Sequence, residues 1–185
     1  MKTFKRNTSC KVIAILMIVM TLFTSAYSAL ADTTAYLATA KKCKQYLVDN
    51  DFRYRKGGKT YPIDAATSTR IDCSGYVGWT IYEYLNGDFE CKKSSWYLNT
   101  AKKLYAGKQV EDFCQGWKAV KGSENFRPGD ILCYSGHVHI YYGIDKSAED
   151  RFFVLNAGGN SALDTCITSI RGEYFRRAQY AIRLP

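Results

Sequence analysis

The pattern of apolar and polar positions changes in character along the chain. In its first part, apolar side chains recur at the three- and four-residue spacing of one helix face. This spacing predicts helices over residues 33–49, from Ser74 to the stop signal at Asn86-Gly87, and more weakly over residues 95–106. Residues 51–70 hold a glycine pair and a Thr/Ser cluster and are predicted to form a loop. The residues that carry the helical spacing are Tyr36, Ala40, Cys43, Leu47, Val77, Ile81, Tyr84, Tyr97, Ala101 and Leu104.

After Gly107 the pattern changes to short apolar runs separated by turn residues, which is typical of β-strands. Helices followed by strands predict an α+β domain with a largely antiparallel sheet. The six predicted strands are Trp117–Val120, Ile131–Tyr134, Val138–Ile144, Phe152–Leu155, Thr165–Ile170 and Tyr180–Leu184.

The first 31 residues have the layout of a secretory signal peptide. Four basic residues precede an apolar run from Val12 to Phe23, and the segment ends in Ala29-Leu30-Ala31. An uncleaved membrane anchor is the alternative, but polar residues dilute the end of the run. We therefore expect cleavage after Ala31 and no stable membrane anchor afterwards. The remaining 154 residues, 32–185, match the size of one domain.

Much of the basic character belongs to this segment. The whole chain carries a net charge of +9, but residues 32–185 hold 22 basic and 17 acidic residues, a net charge of +5. This charge suits work near an anionic surface such as a bacterial wall. Nucleic-acid binding is not expected, because no such motif is present and the basic residues are scattered. Six cysteines remain after cleavage, and their number alone does not fix a disulfide pattern.

Cys73 stands between Asp72 and Ser74 at the start of the second predicted helix. A helix N-terminus favours the thiolate, the nucleophilic form of cysteine, and lowers the pKa of a thiol there. A buried core cysteine or half of a disulfide is the alternative interpretation. A nucleophilic thiol also needs a base, and the only two histidines lie together in the stretch GHVHIYYG, residues 136–143.

His137 and His139 are two residues apart on a predicted strand, so their side chains point to the same face of the sheet. Either could serve as the base. The pair could also bind a metal ion, with Cys73, Cys133 or an aspartate as a third ligand. A polar group must orient the imidazole of a base, and Asn156 at the end of the next predicted strand is a candidate. The alternative for Asn156 is an ordinary turn asparagine.

The stretches YRKGG, DCSG, FRPGDIL and GHVHIYYG, in this order, resemble the NlpC-type family of bacterial cell-wall cysteine peptidases, the NlpC and p-sixty group. The resemblance runs from about Tyr54 to Asn156. It implies a papain-like fold, in which N-terminal helices pack on a largely antiparallel sheet, and makes residues 32–185 the catalytic domain. Its motifs imply that Cys73 is the nucleophile, His137 the base and Asn156 the orienting residue.

The same resemblance implies that Tyr54, Asp72 and Ser74 shape the substrate pocket. His139 stands where the family commonly has a small residue, and we expect it to pack beside the site. His137 follows a turn and stands at the open end of its strand, about 6.6 Å from the position of His139. This geometry also favours His137 as the base. Asn156 departs from the family pattern, which more often has histidine there.

The resemblance implies an exported endopeptidase that cuts stem peptides or muropeptides of peptidoglycan, typically between D-glutamate and a diamino acid. The protein would then act outside the cell or in the wall of a bacterium, as a monomer and without cofactor or metal. An amidase of the CHAP group is a related alternative. A second alternative is a non-catalytic wall-binding module of the same fold, whose cysteines are structural.

Overall fold

A computed structural model describes residues 7–58, 63, 65–66, 68–89, 95–107, 116–158 and 166–185, with side chains from residues 13–20 and from residue 32 onward. The chain divides into two units, Met1–Asp32 and Thr33–Pro185. The first helix, α1 (Asn7–Asp49), begins in the first unit and ends in the second. The apolar side chains of residues 13–20 are exposed. Within the part of the chain that the structure describes, no helix is long and apolar enough to cross a membrane.

The second unit combines helices with a six-stranded sheet. The elements after α1 are β1 (Arg53–Tyr54), β2 (Arg70–Ile71), α2 (Cys73–Tyr84), α3 (Trp96–Tyr105), β3 (Lys118–Val120), a 3-10 turn (Ser123–Asn125), β4 (Ile131–Tyr134), β5 (His137–Ile144), β6 (Arg151–Leu155), β7 (Thr168–Arg171), α4 (Gly172–Arg176) and β8 (Tyr180–Arg183).

The strand order of the six-stranded sheet is β3-β8-β4-β5-β6-β7, and every neighbouring pair is antiparallel. A separate parallel pair joins β1 and β2. The α+β prediction with a largely antiparallel sheet is therefore confirmed.

The predicted strands agree closely with the observed ones, and the main differences have simple causes. The fifth strand begins at Thr168, and residue 165, where the prediction begins it, lies outside the described residues. The helix predicted over residues 33–49 is the end of the longer α1. The sequence does not predict β1, β2 or α4. The two strands have two residues each and α4 has five, which is too few for a periodic pattern.

The two faces of the sheet pack against different elements. Alternate residues of β4 and β5, such as Cys133 and Ile140, join the main core with α1, α2 and α3. Their neighbours Tyr134 and Tyr141 belong to a second core that includes Phe175 of α4. Because side chains alternate along a strand, both histidines of β5 lie on the same face as Tyr134 and Tyr141.

Candidate active site

The start of α2 is fixed by the carboxylate of Asp72, which is the N-cap residue and is only 3% exposed. Its Oδ1 atom accepts hydrogen bonds from the amide of Gly75 at 2.6 Å and from the hydroxyl of Ser74 at 2.9 Å. Its Oδ2 atom accepts a hydrogen bond from the amide of Gly57 at 2.8 Å. A capped helix start of this kind satisfies backbone donors that would otherwise lack partners. It holds Cys73 as the first residue of the helix.

Glycines allow the loop that contains YRKGG to lie directly against this helix start. The carbonyl of Gly58 accepts a hydrogen bond from the amide of Asp72 at 3.1 Å. A side chain on Gly75 would come within 2.1 Å of that carbonyl oxygen, so only glycine fits there. The pairing of Tyr54 with Ile71 brings the tyrosine to the same place. Two motifs that are well separated in the sequence therefore meet around Cys73.

Three tyrosines from different elements interact electrostatically with the buried side chain of Cys73. Burial raises the pKa of Tyr54, with further contributions from the charges of Cys73 and Asp72 and a hydrogen bond with the Cys73 side chain. The pKa values of Tyr97, from α3, and Tyr174, from α4, are also raised, first by burial and next by the charge of Cys73. The sequence predicted Tyr97 only as a residue on one face of a helix. It gave no signal for Tyr174, which lies outside every predicted element.

His137, the predicted base, is the first residue of β5 and is half-buried. Burial lowers its pKa, and the charge of Asp72 acts in the opposite direction. The same carboxylate that caps the cysteine helix thus acts on the imidazole. The imidazole ring of His137 makes no hydrogen bond to any described residue. Hydrogen bonds of catalytic groups are often long before substrate binds, so this geometry is compatible with a base.

His139 is deeply buried on the same face of the sheet, with 2% of its surface exposed. Its ring lies at 88° to the ring of His137, and the two ring centroids are 4.4 Å apart. The rings of Tyr134 and Tyr174 pack around it at 5.2 and 5.8 Å. Neither ring nitrogen of His139 has a hydrogen-bond partner among the described residues. Burial, and then the charge of His137, hold the pKa of His139 well below its ordinary value.

The structure does not bring Asn156 into hydrogen-bond contact with His137. The register of β5 and β6 pairs Ile140 with Leu155. Continued along both strands, this register sets Asn156 opposite His139 and Gly158 opposite His137. A Cβ atom on Gly158 would lie 2.7 Å from Cε1 and 3.1 Å from Nε2 of His137, in agreement with this alignment. Gly158, rather than Asn156, is therefore the cross-strand neighbour of the predicted base.

Of the other cysteines whose side chains the structure describes, Cys43, Cys133 and Cys166 carry free thiols. Burial is the main cause that raises the pKa of Cys43 to about 12, and burial also raises the pKa of Cys133. Both belong to the main core. Cys91 and Cys114 lie outside the described residues. Among the residues that are described, no group of three His, Cys, Asp or Glu side chains is arranged to hold a metal ion.

Comparisons of the chain with models of protein families, with curated proteins and with solved structures found no match. An inference about function therefore rests on the residues of this site. They define an α+β protein that carries a cysteine at a capped helix N-terminus, three tyrosines that interact with it electrostatically, and two histidines in edge-to-face contact on the sheet.

Proposed function

We propose that the chain is an exported cysteine endopeptidase of the NlpC type, with a papain-like catalytic domain. Its substrates would be stem peptides of peptidoglycan, cut between D-glutamate and a diamino acid. The observation that carries the proposal is the capped start of α2. There, Asp72 fixes the helix that begins with Cys73, and its charge also acts on His137. The resemblance of the four sequence motifs supports the choice of substrate.

Each step of the reaction has a group to perform it. His137 takes the proton of the Cys73 thiol, and the Sγ atom attacks the carbonyl carbon of the amide, where the partial positive charge of the helix N-terminus favours both the thiolate and the developing oxyanion. His137 gives a proton to the leaving amine, so the C–N bond breaks and a thioester remains. His137 then takes a proton from water, which attacks the thioester. A carboxylic acid is released and the thiol is restored.

Tyr54 and Ser74 belong to the proposed pocket. Tyr54 contacts the side chain of Cys73, and Ser74 donates its hydroxyl to the carboxylate of Asp72. These contacts support a role of the loop with YRKGG in binding the part of the substrate next to the scissile bond. The net charge of +5 for residues 32–185 suits the anionic wall.

The reactivity of the thiols tests whether the site is catalytic or the fold is only a binding module. Purified protein is treated with iodoacetamide at neutral pH, and the modified peptides are identified by mass spectrometry. We expect Cys73 at the helix N-terminus to be alkylated first, whereas Cys43 and Cys133, whose pKa values are raised, serve as internal controls and stay unmodified. His137→Ala should slow the alkylation of Cys73. A Cys73 as inert as Cys43 would favour the binding module.

Export can be tested separately from activity. N-terminal sequencing of protein from the culture medium should find Asp32 as the first residue, because the small residues Ala29-Leu30-Ala31 form the predicted cleavage site. Protein that keeps Met1 or residues of the apolar run would support the anchor instead.

A further inference from the structure

Among the described residues, none is the hydrogen-bonded third residue that usually orients a base such as His137. Neither Asn156 nor any other described residue donates or accepts a hydrogen bond at its ring. An imidazole that rotates freely would lose the orientation on which proton transfer depends. Packing of the ring against two neighbouring residues can supply this orientation instead.

Across the sheet, the ring of His137 covers the backbone of Gly158. The ideal Cβ position of this glycine falls 2.7 Å from Cε1 of His137, which is closer than real Cβ atoms approach other atoms. The φ angle of Gly158 lies outside the left-handed region, so its backbone conformation does not demand glycine. The space that the ring of His137 occupies is what requires glycine at this position. A glycine in a strand often marks such a close approach.

Along β5, the ring of His139 stands at 88° to that of His137 with 4.4 Å between their centroids. Aromatic rings attract one another in this edge-to-face arrangement. His139 itself is immobilised by the rings of Tyr134 and Tyr174, which come from β4 and α4. The ring of His139 is therefore held in a fixed position against the ring of His137.

We infer that Gly158 and His139 are positioning residues that form a clamp on the imidazole of His137, the first from the neighbouring strand and the second from two residues along β5. The inference rests on the proposed function, in which His137 is the base. It gives the ring of His139 a role although neither of its buried nitrogens has a partner among the described residues. It also explains why glycine stands opposite His137 at a position whose φ angle does not require it.

Gly158→Ala tests the first half of the clamp. The added methyl group should displace the imidazole and lower kcat by about 10- to 100-fold, with KM changed by less than about threefold, because a small misplacement of a catalytic group is costly. Ala157→Gly is the matched control, because it alters one methyl group of the neighbouring residue, which packs in the core on the opposite face. This control should keep its kcat within about threefold of the unchanged protein.

The position of the ring can be measured without substrate. The chain has only two histidines, so an NMR spectrum of the purified protein contains two sets of imidazole signals. We expect a nuclear Overhauser effect between the Cε1 proton of His137 and the α-protons of Gly158, and its loss in Gly158→Ala. Displacement from the buried position should also raise the pKa of His137 toward its ordinary value. An unmoved ring with unchanged pKa in Gly158→Ala would overturn the inference.

Two variants of His139 test the second half and remain informative if Gly158→Ala does not fold. His139→Phe keeps a ring at the same place and should leave kcat within about threefold, whereas His139→Ala removes it and should lower kcat about tenfold. An equal loss of kcat in both variants would mean that a ring nitrogen of His139 is needed. No loss of kcat in either variant would mean that the ring of His139 is not needed. Both results contradict the clamp. A protein without hydrolytic activity would refute the proposed function alone, because the NMR measurement would still test the clamp.

Discussion

The carboxylate of Asp72 binds the amide of Gly57, fifteen residues earlier in the chain, with an Oδ2···N distance of 2.8 Å. Its other oxygen caps α2 through Gly75. One buried side chain therefore joins the loop that carries Tyr54 to the helix that carries Cys73. The pocket and the nucleophile of the proposed enzyme are held together by this carboxylate.

Asp72→Asn should weaken both the fold and the electrostatics of the site. An amide has one acceptor oxygen in place of two, so one buried donor loses its partner and the free energy of unfolding should fall by about 1–3 kcal/mol. The pKa of His137 should fall further, because the charge of Asp72 normally raises it. Urea unfolding and NMR titration measure the two effects. Asp88→Asn, which alters an exposed carboxylate just after α2, is the control and should change neither. An Asp72→Asn protein as stable as this control would contradict the account.

The two histidines should differ sharply in their effect on hydrolysis. His137→Ala should lose at least ~100-fold in kcat/KM, the lower end for general acid-base catalysis. His139→Ala should lose much less, because its ring only supports the base. Steady-state kinetics on a purified muropeptide distinguish the two variants. If His139→Ala is inactive while His137→Ala keeps its activity, the two roles are reversed. If both are inactive and bound zinc disappears with them, the metal-site alternative is correct.

The stability of the protein should depend on pH through His139. Its pKa in the folded protein is well below the ordinary value of 6.5, so the unfolded chain binds a proton more readily than the folded one. The free energy of unfolding should therefore fall as the pH decreases below about 7, by up to about 1.4 kcal/mol per pH unit for this group. His137, whose pKa is also lowered, should add a smaller decrease of the same sign.

His139→Phe removes the larger of these two contributions. Urea unfolding of the variant and of the unchanged protein at pH 7.5 and pH 5 should give a weaker pH dependence for the variant. The variant should also be at least as stable at pH 7.5, because it no longer buries two polar atoms without partners among the described residues. Equal pH dependence would mean that His139 accepts its proton in the folded state.

Tyr54→Phe tests the proposed pocket. The resemblance assigns Tyr54 to the place where the free N-terminal amine of a stem peptide is held, and the structure has its side chain against Cys73. The variant should raise KM more for stem peptides with a free amine than for peptides whose amine is blocked. The same increase for both kinds of peptide would remove Tyr54 from this role.

Much of the fold could be predicted because its elements follow simple periodic patterns. The runs Ile131–Tyr134 and Phe152–Leu155 are strands within one residue of the prediction, since alternate side chains face two separate cores. The start of α2 was also predictable, because Asp72 has the side chain of a good cap.

The parts of the site that could not be predicted depend on contacts between distant segments. A shift of register between Tyr141 and Gly143 determines how β5 and β6 align, and nothing in the spacing of the sequence reveals it. For this reason the sequence does not show that Gly158 lies opposite His137. Tyr174 was missed because α4 has only five residues, and its approach to Cys73 depends on tertiary packing.

The central claim is that Cys73 hydrolyses an amide bond of peptidoglycan. Purified peptidoglycan fragments are incubated with the protein and, in parallel, with Cys73→Ala and with Cys43→Ala, which removes a buried thiol of the core. Mass spectrometry then identifies the products. We expect new fragments that end at D-glutamate or begin at the diamino acid with the unchanged protein and with Cys43→Ala, and none with a folded Cys73→Ala. Undiminished cleavage by Cys73→Ala, or intact fragments with the unchanged protein, would contradict the claim.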